Sequence, residues 1–237
     1  MASPPVLSRF TVVLLDMNGT VMFGGDRFGP EQDFAATYRV LGGGRLAANV
    51  VQGIIAACYA TMGAIYEDPA RCDSFPTVLD TLRALPAGRD LPEAELELLE
   101  RVIAQHELGS IPLAYARAIT RLAATHRLGL VANILSRKGL WLDEFERAGV
   151  LHHFATTVFS SDSSSIKPSR KLFDQAVTAL AAPRSEVVFV GDSLRCDIGG
   201  ATAAELAAVW IDRAGLGRQP RDPQPTWVVR DLLDLVA

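Results

Sequence analysis

Six short apolar runs, each followed by polar residues, stand out in the pattern of hydrophobic and polar positions along the chain. Runs that are apolar throughout, and not only at alternate positions, are typical of parallel strands buried on both faces. The pattern therefore predicts a parallel sheet with both faces covered. The predicted strands are Thr11 to Leu15, Leu128 to Ala132, Thr156 to Phe159, Val187 to Val190, Ala208 to Ile211 and Thr226 to Val229.

Segments with helical periodicity lie between these strands and predict an α/β fold class. The predicted helices are Leu113 to His126, Gly139 to Ala148, Ser169 to Ala181 and Arg195 to Leu206. Between the first two strands lie more than a hundred residues with little strand character. We interpret this segment as a long helical insertion, in which Asp90, Pro92 and Glu93 resemble a capped helix start.

The stretch from Leu46 to Tyr66 carries no charged residue and has the length of a membrane span. Three polar side chains and many small residues dilute its hydrophobicity, so a buried helix is the preferred interpretation and no membrane partner is expected. Ala56, Ala60 and Ala64 recur every four residues, which gives a smooth face for a second helix. That helix belongs either to this chain or to a second subunit, so a homodimer through this region is left open.

Composition and charge narrow the possible functions of the chain. Its 237 residues are 49% hydrophobic, which is enough for a sizeable core, and its net charge is −4. This charge, without a local run of Lys or Arg, argues against nucleic-acid binding. The three scattered cysteines predict neither a disulfide framework nor a zinc site and fit a cytoplasmic protein. The first ten residues lack the features of a signal peptide, and we expect none.

Polar residues follow the predicted strands at the sheet edge where open parallel sheets bind ligands. Asp16 follows the first strand and Asp192 the fourth. Two carboxylates at one edge repel each other unless a cation lies between them, and Mg²⁺ prefers oxygen ligands. Lys167 adds a positive charge that suits an anionic group or an ionised nucleophile. The other polar residues at this edge are Asn133, Ser160, Ser161, Asp162, Gly191 and Ser193.

The order of these segments resembles the haloacid dehalogenase (HAD) superfamily of hydrolases over essentially the whole chain. The stretch "DMNGT" at Asp16 matches its first motif, "KPS" at Lys167 its third, and "GDSLRCD" from Gly191 its fourth. The resemblance implies a Rossmann-like core of residues 1–21 and 109–237. It also implies that residues 22–108 form the helical cap found in the branch of the superfamily with an early insertion.

The resemblance also implies an activity and a role for each site residue. The activity would be that of a phosphatase acting on a small phosphorylated metabolite. Asp16 would be the nucleophile and form a phosphoaspartyl intermediate, with Lys167 as its cationic partner. Mg²⁺ would bind Asp16, the Asn18 carbonyl and Asp192, with Asp197 in support. The residues expected to contact the phosphate are Gly19, Thr20, Asn133 and Lys167.

Two positions depart from the pattern of the superfamily. Asn18 replaces the aspartate that would serve as general acid and base, and an amide cannot transfer a catalytic proton at neutral pH. Ala132 stands where a Ser or Thr hydroxyl is expected, and the neighbouring Asn133 is the candidate substitute. Loss of acid–base help commonly costs about 10² to 10⁴ in rate, which favours substrates with activated leaving groups.

Three functions therefore remain open from the sequence. The preferred hypothesis is a Mg²⁺-dependent phosphatase. The second is a phosphate-binding or regulatory protein with little or no turnover. The third is cleavage of a C–P or carbon–halogen bond, for which the missing acid is the only support. Arg27, Tyr38, Arg39, Arg45 and Asn49 are candidates for substrate recognition from the insertion.

Overall fold

A six-stranded parallel sheet forms the centre of the fold in the computed structural model, which describes residues 6–236. Its strands lie in the order β3, β2, β1, β4, β5, β6. The chain therefore leaves β1 in one direction for β2 and β3, then returns to place β4 on the other side of β1. The strands are β1 (Val12–Leu15), β2 (Arg127–Ala132), β3 (Phe154–Phe159), β4 (Val187–Gly191), β5 (Ala207–Ile211) and β6 (Trp227–Val229).

Eight α-helices accompany this sheet within residues 6–236. Four precede β2: α1 (Phe34–Val40), α2 (Ala48–Tyr66), α3 (Val78–Ala84) and α4 (Glu93–Glu107). The others are α5 (Leu113–Ala123), α6 (Gly139–Arg147), α7 (Arg170–Leu180) and α8 (Gly199–Ala203). The α/β fold class and the six predicted strands are confirmed, with strand ends that differ by at most two residues.

Both faces of the sheet are covered, which explains why its strands are apolar throughout. Side chains alternate between the faces along a strand. In β1, Val13 and Leu15 belong to the hydrophobic cluster that includes side chains of α5 and α6. Val12 and Leu14 belong to the cluster on the other face, with side chains of α7 and α8. Neither face of β1 could therefore carry polar residues.

The four helices before β2 have a hydrophobic cluster of their own. Its side chains come from α1 to α4 and the segments between them, together with Ile166 from the segment before α7. The chain passes between sheet and helices through two adjacent segments, where Phe23 and Ser110 exchange backbone hydrogen bonds of 2.9 and 2.8 Å. The predicted domain limits, 22 and 108, lie beside this crossing and stay a prediction. Residues 1–5 and 237 of the predicted core lie outside the described residues.

Helix α2 is less buried than the sequence suggested. Its buried side chains, Val51, Ile54, Ile55, Cys58 and Met62, lie on one face. Ala56, Ala60 and Ala64 are exposed, so the described chain places no helix over that stripe. By length and composition α2 could cross a membrane, and 28% of its apolar window is buried in the fold. Pairing of the alanine stripe with a second subunit stays a prediction.

The predicted helix from Arg195 to Leu206 is interrupted near its start. Residues Leu194–Ile198 form a wider π-helical turn, in which the Ile198 N–H donates to the Ser193 carbonyl over 3.1 Å. Only after this turn does the regular helix α8 begin. Such turns re-aim side chains and are frequent at functional sites. Here the turn contains Asp197, which is 1% exposed.

The packing of α6 on the sheet provides a test of the fold. Phe145 is fully buried and meets the Phe154 ring edge to face at a centroid distance of 5.4 Å. Replacing Phe145 by alanine leaves a cavity and should lower the free energy of unfolding by about 3–5 kcal/mol in chemical denaturation. The matched control is Leu216→Ala, at a position 82% exposed, which should change stability by less than about 0.5 kcal/mol. Similar losses in both variants would contradict this packing.

Candidate active site

Asp16 and Asp192 lie close together because β1 and β4 are neighbours in the sheet. Leu15 pairs with Val190, and the Asp16 N–H donates to the Val190 carbonyl over 2.9 Å. Within this pairing, Asp16 is thus the first residue after the last paired residue of β1, and Asp192 is the second after the last paired residue of β4. The π-helical turn adds Asp197, and one carboxylate oxygen from each of the three aspartates lies within 4.8 Å of the others.

Lys167 supplies the positive charge at the centre of this carboxylate cluster. Its Nζ lies 2.5 Å from Asp16 Oδ1 and 2.7 Å from Asp197 Oδ1, and the side chain is 2% exposed. Burial lowers the pKa of Lys167, but the charges of Asp16 and Asp197 outweigh it and raise that pKa above its usual range. Lys167 is therefore a fixed cation that holds Asp16 in one orientation.

Asn133 holds the backbone of Lys167 in place. Its side-chain oxygen accepts from the Lys167 N–H over 2.8 Å, and its Nδ2 donates to the Lys167 carbonyl over 3.2 Å. The same Nδ2 lies 3.3 Å from the Tyr66 hydroxyl. Because these groups already accept both amide hydrogens, the structure favours a positioning role for Asn133. The phosphate contact expected from the sequence stays a prediction without support in this geometry.

The turn after Asp16 fixes the remaining residues of the first motif. The Thr20 hydroxyl is buried and donates to Asp16 Oδ2 over 3.1 Å. Because Lys167 donates to Oδ1, each Asp16 oxygen accepts a hydrogen bond. Gly19 has a φ of +77° and lies directly against the Asp192 carboxylate, where a Cβ would collide with it. Glycine is therefore required for both its conformation and its lack of a side chain. Asn18 lines the adjoining cavity.

The carboxylate cluster suits a divalent cation. Loss of bulk water, together with the charges of Asp16 and Asp197, raises the pKa of Asp192 to about 7, although its side chain is accessible from the cavity. Burial and Asp16 likewise raise the pKa of Asp197 to about 6. One lysine thus leaves three carboxylates with unbalanced negative charge. An all-oxygen set of this kind fits Mg²⁺, whose binding would relieve the repulsion.

A cavity of about 430 Å³ opens between the sheet edge and the helical insertion. The predicted residues Asp16, Asn18, Asn133, Lys167, Asp192 and Asp197 all line it. The walls on the insertion side include Asp26, Tyr59, Tyr66, Glu67 and Glu107. The volume is in the range of small-molecule sites.

None of the residues suggested for substrate recognition from the insertion lines this cavity. The Arg27 guanidinium donates to the carbonyls of Gly24, Gln105 and Leu108, which fixes it at the end of α4. Tyr38 is buried in the helical cluster, and its hydroxyl donates to Glu95. Both side chains therefore stabilise the insertion.

The acidic and aromatic residues that do face the cavity from the insertion give little signal in the sequence and were not predicted. Asp26 has a φ of 54° in the loop after the first motif, and an aspartate directly after two glycines was the available signal. Glu107 ends a helix rich in glutamates, and the sequence does not distinguish it from the others. Tyr66, at the end of α2, contacts Cys196 Sγ through its hydroxyl at 3.2 Å.

Comparisons with known proteins agree with this geometry. A family model described as HAD-hydrolase-like matches residues 166–235, which include Lys167, Asp192 and Asp197. A phosphoserine phosphatase of Thermus thermophilus is 33% identical over 156 residues, which are 64% of this chain and 60% of that protein. The pyrimidine 5′-nucleotidase YjjG of Escherichia coli is 36% identical over 110 residues, which are 46% of this chain and 48% of that protein. Residues 166–235 therefore match the HAD-like family, and the curated relatives extend the similarity beyond this segment.

Solved structures of the HAD-like superfamily share the fold over nearly the whole chain. A HAD phosphatase from Thermococcus onnurineus has a TM-score of 0.63 at 23% identity and covers 95% of this chain and 96% of its own. A 2-haloacid dehalogenase from Pseudomonas syringae has a TM-score of 0.65 at 20% identity, with the same coverages. The HAD-hydrolase YfnB from Bacillus subtilis, solved with magnesium bound, has a TM-score of 0.59 at 18% identity and covers 96% of this chain and 97% of its own.

The buried ion pairs of this HAD-like site give a direct prediction. Lys167→Met removes the cation and leaves two buried carboxylates unpaired, so it should lower the free energy of unfolding by about 3–5 kcal/mol. The matched control is Lys171→Met, because Lys171 is 61% exposed and pairs with Asp73 at 3.3 Å. The control should cost less than about 1 kcal/mol. Equal losses in denaturant titrations at neutral pH without added metal would contradict the buried pairs.

Proposed function

We propose that this protein is a Mg²⁺-dependent hydrolase, and specifically a phosphatase that acts on a small phosphorylated metabolite. The observation that carries the proposal is the paired geometry of Asp16 and Lys167 beside Asp192 in the cavity between the sheet edge and the insertion. The relatives add support, because they include a phosphoserine phosphatase and a pyrimidine 5′-nucleotidase. The alignments span 60% and 48% of those proteins, so activity and substrate are part of the proposal.

Asp16 is the proposed nucleophile. Its carboxylate is oriented by the Lys167 ammonium and the Thr20 hydroxyl, so it is held in one direction before substrate binds. A carboxylate oxygen attacks phosphorus in line as the bond to the leaving oxygen breaks, which forms a phosphoaspartyl intermediate. Water then hydrolyses this acyl phosphate and releases inorganic phosphate with Asp16 regenerated.

The residues that would hold Mg²⁺ are Asp16, the Asn18 backbone carbonyl and Asp192, with Asp197 in support. When bound, the ion would neutralise charge on the phosphate oxygens. Lys167, which pairs with Asp16 and Asp197, contributes a second positive charge. This charge reduces the repulsion between the nucleophile and its anionic target. Asn133 contributes indirectly, because it fixes the Lys167 backbone.

The amide at position 18 restricts the substrates that can be turned over. Asn18 lines the cavity but cannot protonate a departing alkoxide. Leaving groups that depart as stable anions, such as the carboxylate of an acyl phosphate, do not need that proton. We therefore infer a preference for activated phosphates over unactivated alkyl esters.

A substrate screen tests the proposed function. Purified protein with Mg²⁺ is assayed against acetyl phosphate, phosphoserine, a pyrimidine 5′-nucleotide, a phosphonate and a 2-haloacid. We expect turnover of acetyl phosphate, slower turnover of the esters, and loss of both when EDTA removes the metal. Release of halide or cleavage of the C–P bond would favour the third hypothesis from the sequence. Inactivity on all compounds with retained Mg²⁺ binding would favour the binding protein.

The variant Asn18→Asp tests the role of the missing acid. A carboxyl group at this position restores a proton donor for the leaving oxygen, so hydrolysis of alkyl phosphates should rise by about 10²-fold. The kcat/KM for acetyl phosphate, which reports only the formation of the phosphoaspartyl intermediate, serves as the internal control and should change by less than about threefold, since this leaving group needs no proton. An unchanged or lower rate with alkyl phosphates would mean that proton transfer does not limit the enzyme.

A further inference from the structure

The part of the cavity wall that the helical insertion contributes is acidic as well. Asp26 and Glu107 line this wall, and the Asp26 N–H donates to the Glu107 carbonyl over 3.0 Å, which makes the two residues neighbours. Neither has a role in the mechanism above. A substrate whose phosphate lies at Asp16 would direct its other half toward this wall.

Asp26 has no cationic side chain bound to it within the described residues. The neighbouring Arg27 directs its guanidinium to the carbonyls of Gln105 and Leu108 at the end of α4 and to that of Gly24, and it is held there. The Asp26 side chain is accessible from the cavity, yet the surrounding protein raises its pKa above the ordinary value, with Arg27 opposing this shift. The carboxyl group therefore meets the cavity without a neutralising partner.

Backbone N–H groups, and no described cationic side chain, hold the Glu107 carboxyl group in place. It is 2% exposed, and its two oxygens accept from the N–H groups of Leu135 and Ser136 over 2.5 and 3.1 Å. These bonds lock its orientation on the loop after β2. Burial, and then the charge of Asp26, raises the pKa of Glu107 to about 8. A positive charge in the cavity would favour the ionised form of both carboxyl groups.

Tyr59 adds an aromatic surface beside the two acids. Its ring lines the cavity and stacks on Phe28 with a centroid distance of 4.0 Å. It lines the same cavity as both acids, and burial, followed by the charges of Asp26 and Glu107, raises the pKa of its hydroxyl. Carboxylates next to an aromatic ring are a suitable environment for an ammonium group.

Cations that could hold a second anionic group are missing from the described lining. Among residues 6–236, Lys167 is the only Lys or Arg that lines the cavity, and it is already paired with two carboxylates. Arg195 lies nearby but donates to the Tyr66 carbonyl and pairs with Glu67 at 3.5 Å. A substrate with a carboxylate or second phosphate would place that group against Asp26 and Glu107.

We propose, building on the proposed phosphatase function, that the substrate is a small monophosphate whose other end carries a protonated amine. Asp26, Glu107 and Tyr59 bind the ammonium group, and Asp16 and Lys167 face the phosphate. The same wall rejects monophosphates that carry a second anionic group.

The experiment compares three phosphates of similar size at one Mg²⁺ concentration. They are 2-aminoethyl phosphate, its uncharged analogue propyl phosphate, and phosphoglycolate, which carries a carboxylate. We expect kcat/KM for the amine to exceed that for propyl phosphate at least tenfold, and propyl phosphate to exceed phosphoglycolate. Equal values for the amine and propyl phosphate, or a preference for phosphoglycolate, would overturn the proposal.

Two variants attribute the preference to the acidic wall. Asp26→Asn should reduce the ratio of kcat/KM between amine and propyl phosphate to about threefold or less. The matched control Asp90→Asn removes an exposed carboxylate that does not line the cavity, and it should keep the wild-type ratio. An unchanged ratio in Asp26→Asn would contradict the assignment.

Calorimetry separates failure of this inference from failure of the proposed function. The three phosphates are titrated into the Asp16→Asn variant with Mg²⁺, in which turnover is blocked. Tighter binding of 2-aminoethyl phosphate supports the ammonium site even if the wild-type protein hydrolyses neither these compounds nor acetyl phosphate. Turnover of acetyl phosphate without any preference for the amine, in rates or in affinities, overturns the inference and leaves the phosphatase function standing.

Discussion

The ion pairs of Lys167 with Asp16 and Asp197 are the interaction on which the site depends. Three carboxylates meet at the ends of two adjacent strands and one turn, and their repulsion would be costly in a buried setting. A single buried ammonium group offsets part of it at 2.5 and 2.7 Å. The charge that remains suits a divalent cation, and Lys167 holds Asp16, the proposed nucleophile, in one orientation.

The fold provides this arrangement through the order of its strands. The strand order changes direction between β1 and β4, which are neighbours in the sheet. The chain after β1 leads to one side and the chain after β4 to the other, so a crevice is left between the two loops. The helical insertion covers the crevice and contributes the second wall of the cavity. Sheet and insertion are also joined chemically, because Glu107 of α4 accepts hydrogen bonds from the loop after β2. The proposed catalytic groups thus come from the sheet, and the groups proposed to meet the rest of the substrate come from the insertion.

The sheet and the carboxylates of the candidate site could be predicted from the sequence, since apolar runs mark buried parallel strands whose carboxyl ends share one edge. Asp16, Asn18, Lys167, Asp192 and Asp197 lie around one cavity for that reason. The role of Asn133 could not be predicted, because an amide serves a phosphate and a backbone equally well until its neighbours are known. Asp26 and Glu107 were missed because only the tertiary structure brings the loop after β1 against the end of α4. The exposure of one face of α2 was also unexpected, since small apolar residues give no signal of which face packs.

The most direct test of the account is a crystal structure of the protein grown with Mg²⁺ and beryllium trifluoride, which imitates a phosphoryl group on a carboxylate. We expect beryllium bonded to an Asp16 oxygen, with Lys167 on the fluorides and Mg²⁺ bound by Asp16, Asp192 and the Asn18 carbonyl. Beryllium trifluoride bound at another residue, or Mg²⁺ absent from these aspartates at saturating concentration, would contradict it.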